Sequence, residues 1–155
     1  CLTALDRLTR ARAFGDCLDL GCGSGVLAIA LARACPHARI TATDIDAQSV
    51  AVAASNMRGN GAGARIDALT ASGLDHPRLR RPASFDLVVA NILAEPLVML
   101  APAISRALRR GAHLVVSGLL VPQAPEVIAA YRAQGVALVH HHREAGWSTL
   151  TLIKR

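Results

Sequence analysis

The chain reads as an α/β protein: a mostly parallel seven-stranded sheet with helices on both faces and an antiparallel hairpin at its C-terminal end. Three observations predict it. Short apolar runs alternate with longer helical segments, the order that builds parallel strands covered on both sides. The run Cys17-Leu18-Asp19-Leu20 passes at once into Gly21-Cys22-Gly23-Ser24-Gly25 and then into an alanine-rich stretch, a strand–turn–helix unit. The tail alternates over 136–142 and 147–154 around Gly146, a connection so short that at least one of the two strands must run antiparallel.

Taken in order, Leu2, Leu5 and Leu8, continued by Ala11, Ala13 and Phe14, predict an amphipathic opening helix ended by Gly15-Asp16. After the first strand, the apolar pattern over 26–35 is a helix, and Pro36-His37 turns the chain. Residues 38–46 alternate with frequent β-branching, which is a second strand. Residues 47–57 are helical in composition, closed by Gly59, Gly61 and Gly63, and 65–70 is a third strand. The stretch 73–83 holds Pro77, Pro82 and three arginines, so a surface loop or broken helix is expected. Phe85 to Asn91 is the fourth strand. Glu95-Pro96 opens a helix expected to reach Leu108 and to stop at Arg109-Arg110-Gly111. A fifth strand over 112–117 and a helix over 125–134 lead into the final pair.

The 155 residues make one domain, 52% hydrophobic with few aromatics, so Ala, Val, Leu and Ile must build the core. Arginines interrupt every apolar run before it reaches the roughly 18 residues of a membrane span. Cys1, Cys17, Cys22 and Cys35 form no C-x-x-C pair and are expected to be free thiols in a cytoplasmic protein. The formal charge is +6, carried by 16 Arg and one Lys. These residues are dispersed along the chain with no aromatics among them, so direct nucleic-acid contact is not expected. Arg78, Arg80 and Arg81 form the one tight basic cluster, read as a solvated loop. His140 and His142 share a strand face, but two ligands do not make a zinc site, and no metal is expected. Trp147 is expected to pack in the core.

In an open parallel sheet, ligands bind at the carboxyl ends of the strands, where strand order reverses. Three groups fall there: Asp19 to Gly25, Asp44-Ile45-Asp46, and Asn91. Glycines let the backbone adopt positive φ and approach a ligand closely. Asp44, 23 residues beyond Gly21, is placed to accept hydrogen bonds from a ribose diol, with Asp46 the better-placed cap for the helix that follows. A dinucleotide fingerprint would require its third glycine at position 26, which is Val; here it is Gly25, and an acid, Asp19, stands two residues before Gly21. That arrangement resembles the S-adenosylmethionine site of Rossmann-like class I methyltransferases, whose cofactor has a cationic amino group that Asp19 could accept directly or through water.

The segment Val88-Val89-Ala90-Asn91-Ile92-Leu93-Ala94, followed by Pro96-Leu97, resembles the PrmA-type ribosomal protein methyltransferases. The resemblance runs from the Asp19 loop through Asp44-Ile45-Asp46 and Asn91 to Ser117-Gly118 and Trp147. It implies S-adenosyl-L-methionine as cofactor, with contacts from Gly21, Asp44 and Asn91, Gly23 and Gly25 shaping the loop, and Ile45 packing on the adenine. It implies a large-subunit ribosomal protein as substrate, methylated on lysine or amino-terminal nitrogens. Asn91 is not followed by Pro-Pro-Tyr/Phe, which speaks against amide and nucleobase substrates. The family also has an N-terminal domain that grips its substrate. This chain opens at Cys1 in what reads as mid-helix, so it is expected to be a catalytic domain, residues 1–155, cut from a longer protein and weak in cofactor binding alone.

Methyl transfer to an amine is an in-line displacement that needs alignment more than acid–base help. A lysine amine must first lose its proton, which desolvation near the pocket favours. Asn91 is the residue expected to orient the target nitrogen or the methionine part of the cofactor; its alternative role is to fasten the loop at Ile92-Leu93. Two other functions fit the same residues: a methyltransferase of this fold acting on another protein or a small amine, and a non-catalytic remnant that binds cofactor or a partner.

Overall fold

The computed structural model describes residues 1–79 and 83–155. Its elements are α1 (Leu2–Ala11), β1 (Asp16–Leu20), α2 (Val26–Ala34), β2 (Arg39–Asp44), α3 (Ala47–Gly59), β3 (Ile66–Thr70), β4 (Phe85–Asn91), α4 (Ala94–Ala107), β5 (Leu108–Leu120), α5 (Ala124–Ala133), β6 (Val136–Glu144) and β7 (Trp147–Lys154). They form one seven-stranded sheet in the order β3-β2-β1-β4-β5-β7-β6. β1, β2, β3, β4 and β5 pair in parallel, and β7 enters antiparallel between β5 and β6. The mostly parallel sheet with a terminal hairpin is therefore as expected.

Strand alternation divides the core into two layers. Cys17, Ile40, Leu87, Val89 and Val115 face α1, α2 and α3, whereas Leu18, Leu20, Val88, Ala90, Leu114 and Val116 face α4 and α5. Val88 and Val89 point to opposite faces and are both fully buried. Such a strand has no solvent side, which is why it reads as an unbroken apolar run. Each aliphatic side chain so buried contributes about 1.5–3 kcal/mol.

The differences from expectation lie at element ends. α1 stops at Ala11, and Phe14 is buried beyond the helix, beneath the Arg12 guanidinium. Arg109-Arg110-Gly111 does not stop a helix: β5 begins at Leu108, directly after α4. Arg109 donates to Asp86 and Asp16, and Gly111 sits at φ 76° where the register with β4 is broken. The two carboxylates draw Arg109 into extended chain. β5 also runs past Ser117 to Leu120, because β7 supplies partners through Trp147 once Gly118, at φ 82°, has absorbed a bulge. Residues 71–79 are turns pinned to the core by buried Leu79, in keeping with the expected loop. Arg78 is exposed and paired with Asp67, while Arg80 and Arg81 lie outside the described residues. No helix among the described residues is long and apolar enough to cross a membrane.

Candidate active site

Strand order reverses between β1 and β4, and both candidate turns leave the sheet at that point. After Leu20 the N–H groups of Gly21 and Cys22 both donate to the Thr43 carbonyl at 2.8 Å, drawing the turn toward the end of β2. Gly21, Gly23 and Gly25 then have φ of 73°, 51° and 82°. At Gly21 the glycine is required twice over: a Cβ would lie 2.3 Å from Ile92 Cγ2. Gly25 packs against Ala53 and Met57 of α3 and begins α2, whose first N–H groups point back along the turn.

Asp44 stands at the tip of β2. Its Oδ2 accepts from the Gly23 N–H at 2.9 Å and its Oδ1 from the Asp46 N–H at 3.1 Å. The carboxylate thus clasps the glycine turn and still has lone pairs to offer. Asp46 is the helix cap, accepting from the Gln48 and Ser49 N–H groups and the Ser49 hydroxyl. The two acids, one residue apart from a shared neighbour, have separate tasks. Ile45 between them is 72% exposed, an apolar side chain in open solvent beside the turn.

Asp19 is fully buried under the turn. One oxygen accepts from the Ala28 N–H of α2 at 2.9 Å; the other, Oδ1, has no partner among the described residues. Burial pushes its pKa up to about 7, the Ala28 N–H pulls it down, and the nearby Asp44 charge raises it further. An unpartnered buried carboxylate oxygen is costly, and a cation brought close to it would recover that cost. Cys22, beside it, is also buried, and burial raises its thiol to about 12, so no thiolate is on hand as a nucleophile.

Asn91 ends β4 opposite Ser117 and is exposed. Among the described residues its side-chain amide makes no hydrogen bond. A hollow of about 530 Å³ brings Asn91 together with Gly21, Cys22, Gly23 and Ser24, and with Cys1 and Thr3 at the start of α1. Asp44 and Ile45 do not line it; they stand beyond Gly23 on the β2 side. The contribution of α1 to this wall has no motif in the sequence, because a short amphipathic helix gives no sign of which strand ends it will roof. A larger hollow, about 960 Å³, lies at the opposite rim among Asp16, Arg39 and Arg109, away from the strand carboxyl ends where such sheets hold their ligands.

Two other sequence expectations meet the structure here. Trp147 is 53% exposed at the rim and not in the core: it pairs with Leu120 and Glu144 at the last rung of the sheet, beyond the cover of any helix. His140 and His142 share a hollow of about 240 Å³ with Arg7 and Thr149, while His141 bonds the Ser148 hydroxyl at 2.9 Å. All four cysteines are free thiols.

The family described as ribosomal protein L11 methyltransferase (PrmA) matches residues 1–155. A Bradyrhizobium diazoefficiens protein named ribosomal protein L11 methyltransferase is 49% identical over 99% of this chain and 52% of its own length. One of the same name from Rhodopseudomonas palustris is 50% identical over 99% of this chain and 52% of its own length. The chain thus spans about half the length of these relatives. Among solved structures, a ribosomal protein L11 methylase from Lactobacillus delbrueckii subsp. bulgaricus superposes with a TM-score of 0.84 at 31% identity, over 99% of this chain and 79% of that one. The architecture is that of the Rossmann-like methyltransferases.

Proposed function

This chain belongs to the ribosomal protein L11 methyltransferase (PrmA) family, and from that membership we propose that it is the catalytic domain of an S-adenosylmethionine-dependent enzyme methylating lysine or amino-terminal nitrogens of a large-subunit ribosomal protein. The observation that carries the reading is the 2.9 Å bond from the Gly23 N–H to Asp44, which ties the glycine turn to the acid of the neighbouring strand beside the hollow reaching Asn91.

The residues present fit the cofactor. Its cationic amino group has a partner waiting in the unpaired Asp19 Oδ1, directly or through one water. Its ribose diol has the free lone pairs of Asp44, and its adenine face has the exposed Ile45. Gly21 and Gly23 leave room for the close approach of the chain between them, and Gly25 hands the turn to α2. When bound, the cofactor supplies an activated methyl group on sulfur. Asn91, with an uncommitted amide at the mouth of the hollow, orients the acceptor nitrogen or the methionine end of the cofactor. Leu93, 71% exposed two residues beyond Asn91, favours loss of the acceptor's proton by desolvating it as the substrate closes over it.

Calorimetric titration with S-adenosylmethionine tests the site, and intact mass of ribosomal protein L11 after incubation tests the substrate, with steps of one methyl expected. Asp44→Ala should weaken cofactor binding by about 1.5–3 kcal/mol, the scale of hydrogen bonds to a charged group. Unchanged affinity would mean the ribose is held elsewhere, and no heat at about millimolar cofactor would end the reading.

A further inference from the structure

Along the sequence the arginines look scattered; in the fold many of the described ones gather at one rim. Helices run antiparallel to the parallel strands, so the last turns of α4 and α5, carrying Arg106 and Arg132, meet the strand starts that carry Arg39 and Arg109. Contacts make the surface continuous. Lys154 Nζ donates to Ser105 Oγ at 3.3 Å and to the Gln134 carbonyl at 2.7 Å, joining the ends of β7, α4 and α5. Arg109 reaches the Ala83 carbonyl, whose own N–H bonds the Arg106 carbonyl, and Arg12 reaches the Gly111 carbonyl next to Arg110.

Most of the acids lie away from this rim. Asp44, Asp46, Glu95, Glu126 and Glu144 stand at strand carboxyl ends or in the first turns of helices. On the basic rim Asp16, Asp67 and Asp86 are each consumed by Arg39, Arg78 or Arg109. The side chains of Arg106, Arg110 and Arg132 are exposed and make no hydrogen bond or ion pair among the described residues. Complementing a helix dipole accounts for Arg106 and Arg132, which end helices, but not for Arg110, which stands in a strand bulge.

We infer that this rim, opposite the methyl-transfer site, binds the phosphate backbone of RNA. A rim with an excess of cations beside an open groove of about 960 Å³ suits a polyanion, whose bound counterions it would release. An anionic membrane would need apolar anchors among the cations. Of the exposed large apolar residues among those described, Leu2, Val26, Ile45, Leu93, Leu120 and Trp147 stand at or near the other rim, Val52 and Met99 lie within helices, and Leu138 and Val139, on the edge strand β6, alone approach this one. The choice of RNA as the polyanion rests on the proposed ribosomal-protein substrate, which leaves the site in or beside a ribonucleoprotein. The basic rim lets the domain dock with its catalytic rim facing away from the RNA, toward protein.

The test is fluorescence anisotropy of the whole chain with a labelled short RNA duplex across a salt series, beside vesicles of anionic lipid. Binding should weaken steeply with salt. The triple variant Arg106→Gln, Arg110→Gln, Arg132→Gln should lose about tenfold or more in affinity at low salt, and about 2–3 from the slope of log K against log salt. The triple Arg→Lys variant should restore binding, and both should titrate S-adenosylmethionine like the parent, since no altered residue is near the carboxyl rim. Failure here is thereby separable from failure of the cofactor reading. No RNA binding at low salt, equal binding by the Gln variant, or vesicles bound as tightly as RNA would each overturn the inference.

Discussion

At the amino ends of the strands, Arg109 bridges Asp86 at 2.8 Å and Asp16 at 2.9 Å, Asp16 also holds Arg39, and Asp86 accepts the N–H groups of Gly15 and Asp16. At the carboxyl ends, among the described residues, Asp19 keeps one oxygen with no partner, Thr43 on the neighbouring strand has a buried hydroxyl in the same condition, and the Asn91 amide makes no hydrogen bond. The same seven strands thus carry one rim whose carboxylates are paired and another whose polar atoms are held in reserve. The difference teaches how the strand-end carboxylates divide their work. Carboxylates that close their own hydrogen bonds hold the strand ends in register, whereas polar atoms left open are free for a ligand to close.

The sharpest way to break this contrast is at Asp19. Burial raises its pKa from 3.8 to about 7, so the folded chain prefers the neutral acid. For a carboxylate shifted upward, folding is penalised as pH rises from the unfolded value to the folded one, and the penalty is constant above about 7. Asp19→Asn mimics the neutral form. It should match the parent near pH 4 and exceed it above pH 7 by up to about 4 kcal/mol, the linkage value of a three-unit shift. Urea melts at both pH values measure this, and a variant no more stable at high pH would mean that Asp19 carries no reserve. The same variant should bind S-adenosylmethionine poorly. In the parent, cofactor affinity should rise with pH up to about 7, with proton release in calorimetry, because a cation at Oδ1 favours the ionised acid.

Much of this rim was legible in the sequence, and the reasons are local. Glycines at positive φ and an acid at a strand tip are set by their immediate neighbours, so Gly21, Gly23, Gly25 and Asp44 could be placed from the order of residues alone. What escaped was decided by distant partners. Arg109 looks like a helix stop until Asp16, 93 residues away, pulls it into a strand. Trp147 looks like core until β7 carries it past the last helix, and α1 gives no sign that its first residues will wall the hollow. The gathering of arginines on one rim is likewise invisible along the chain, because it arises from the antiparallel course of helices over parallel strands.

The next effect, of opposite sign, belongs to the paired rim. Arg109→Met leaves Asp16 and Asp86 facing one another, Asp16 with only Arg39. Burial pushes Asp86 up, but the Arg109 bond and the N–H groups of Asp16 and Gly15 outweigh it, so its pKa lies below the ordinary carboxylate value. A depressed acid stabilises above its unfolded pKa, and that stability is lost as pH falls through the folded one. The variant should cost about 1–2 kcal/mol at neutral pH, discounted for the 41% exposure of Arg109, and progressively less as pH falls below the ordinary carboxylate value. Cofactor binding should not change. Loss of binding in step with stability would erase the distinction between the rims.

The smallest effect separates Asp46 from Asp44. Both sit at the carboxyl rim, yet Asp46 spends both oxygens capping α3. The Ser49 hydroxyl, then the Gln48 and Ser49 N–H groups, lower its pKa, so its contribution is present above the unfolded value and fades as pH falls through the folded one. Asp46→Ala should lower the melting temperature by less than Arg109→Met does, and Asp46→Asn, which still caps, by almost nothing. Neither should alter cofactor affinity, whereas Asp44→Ala should. If Asp46→Ala weakened the cofactor as strongly as Asp44→Ala, the ligand would be reading both acids, and the rim would hold no purely structural carboxylate at the end of β2.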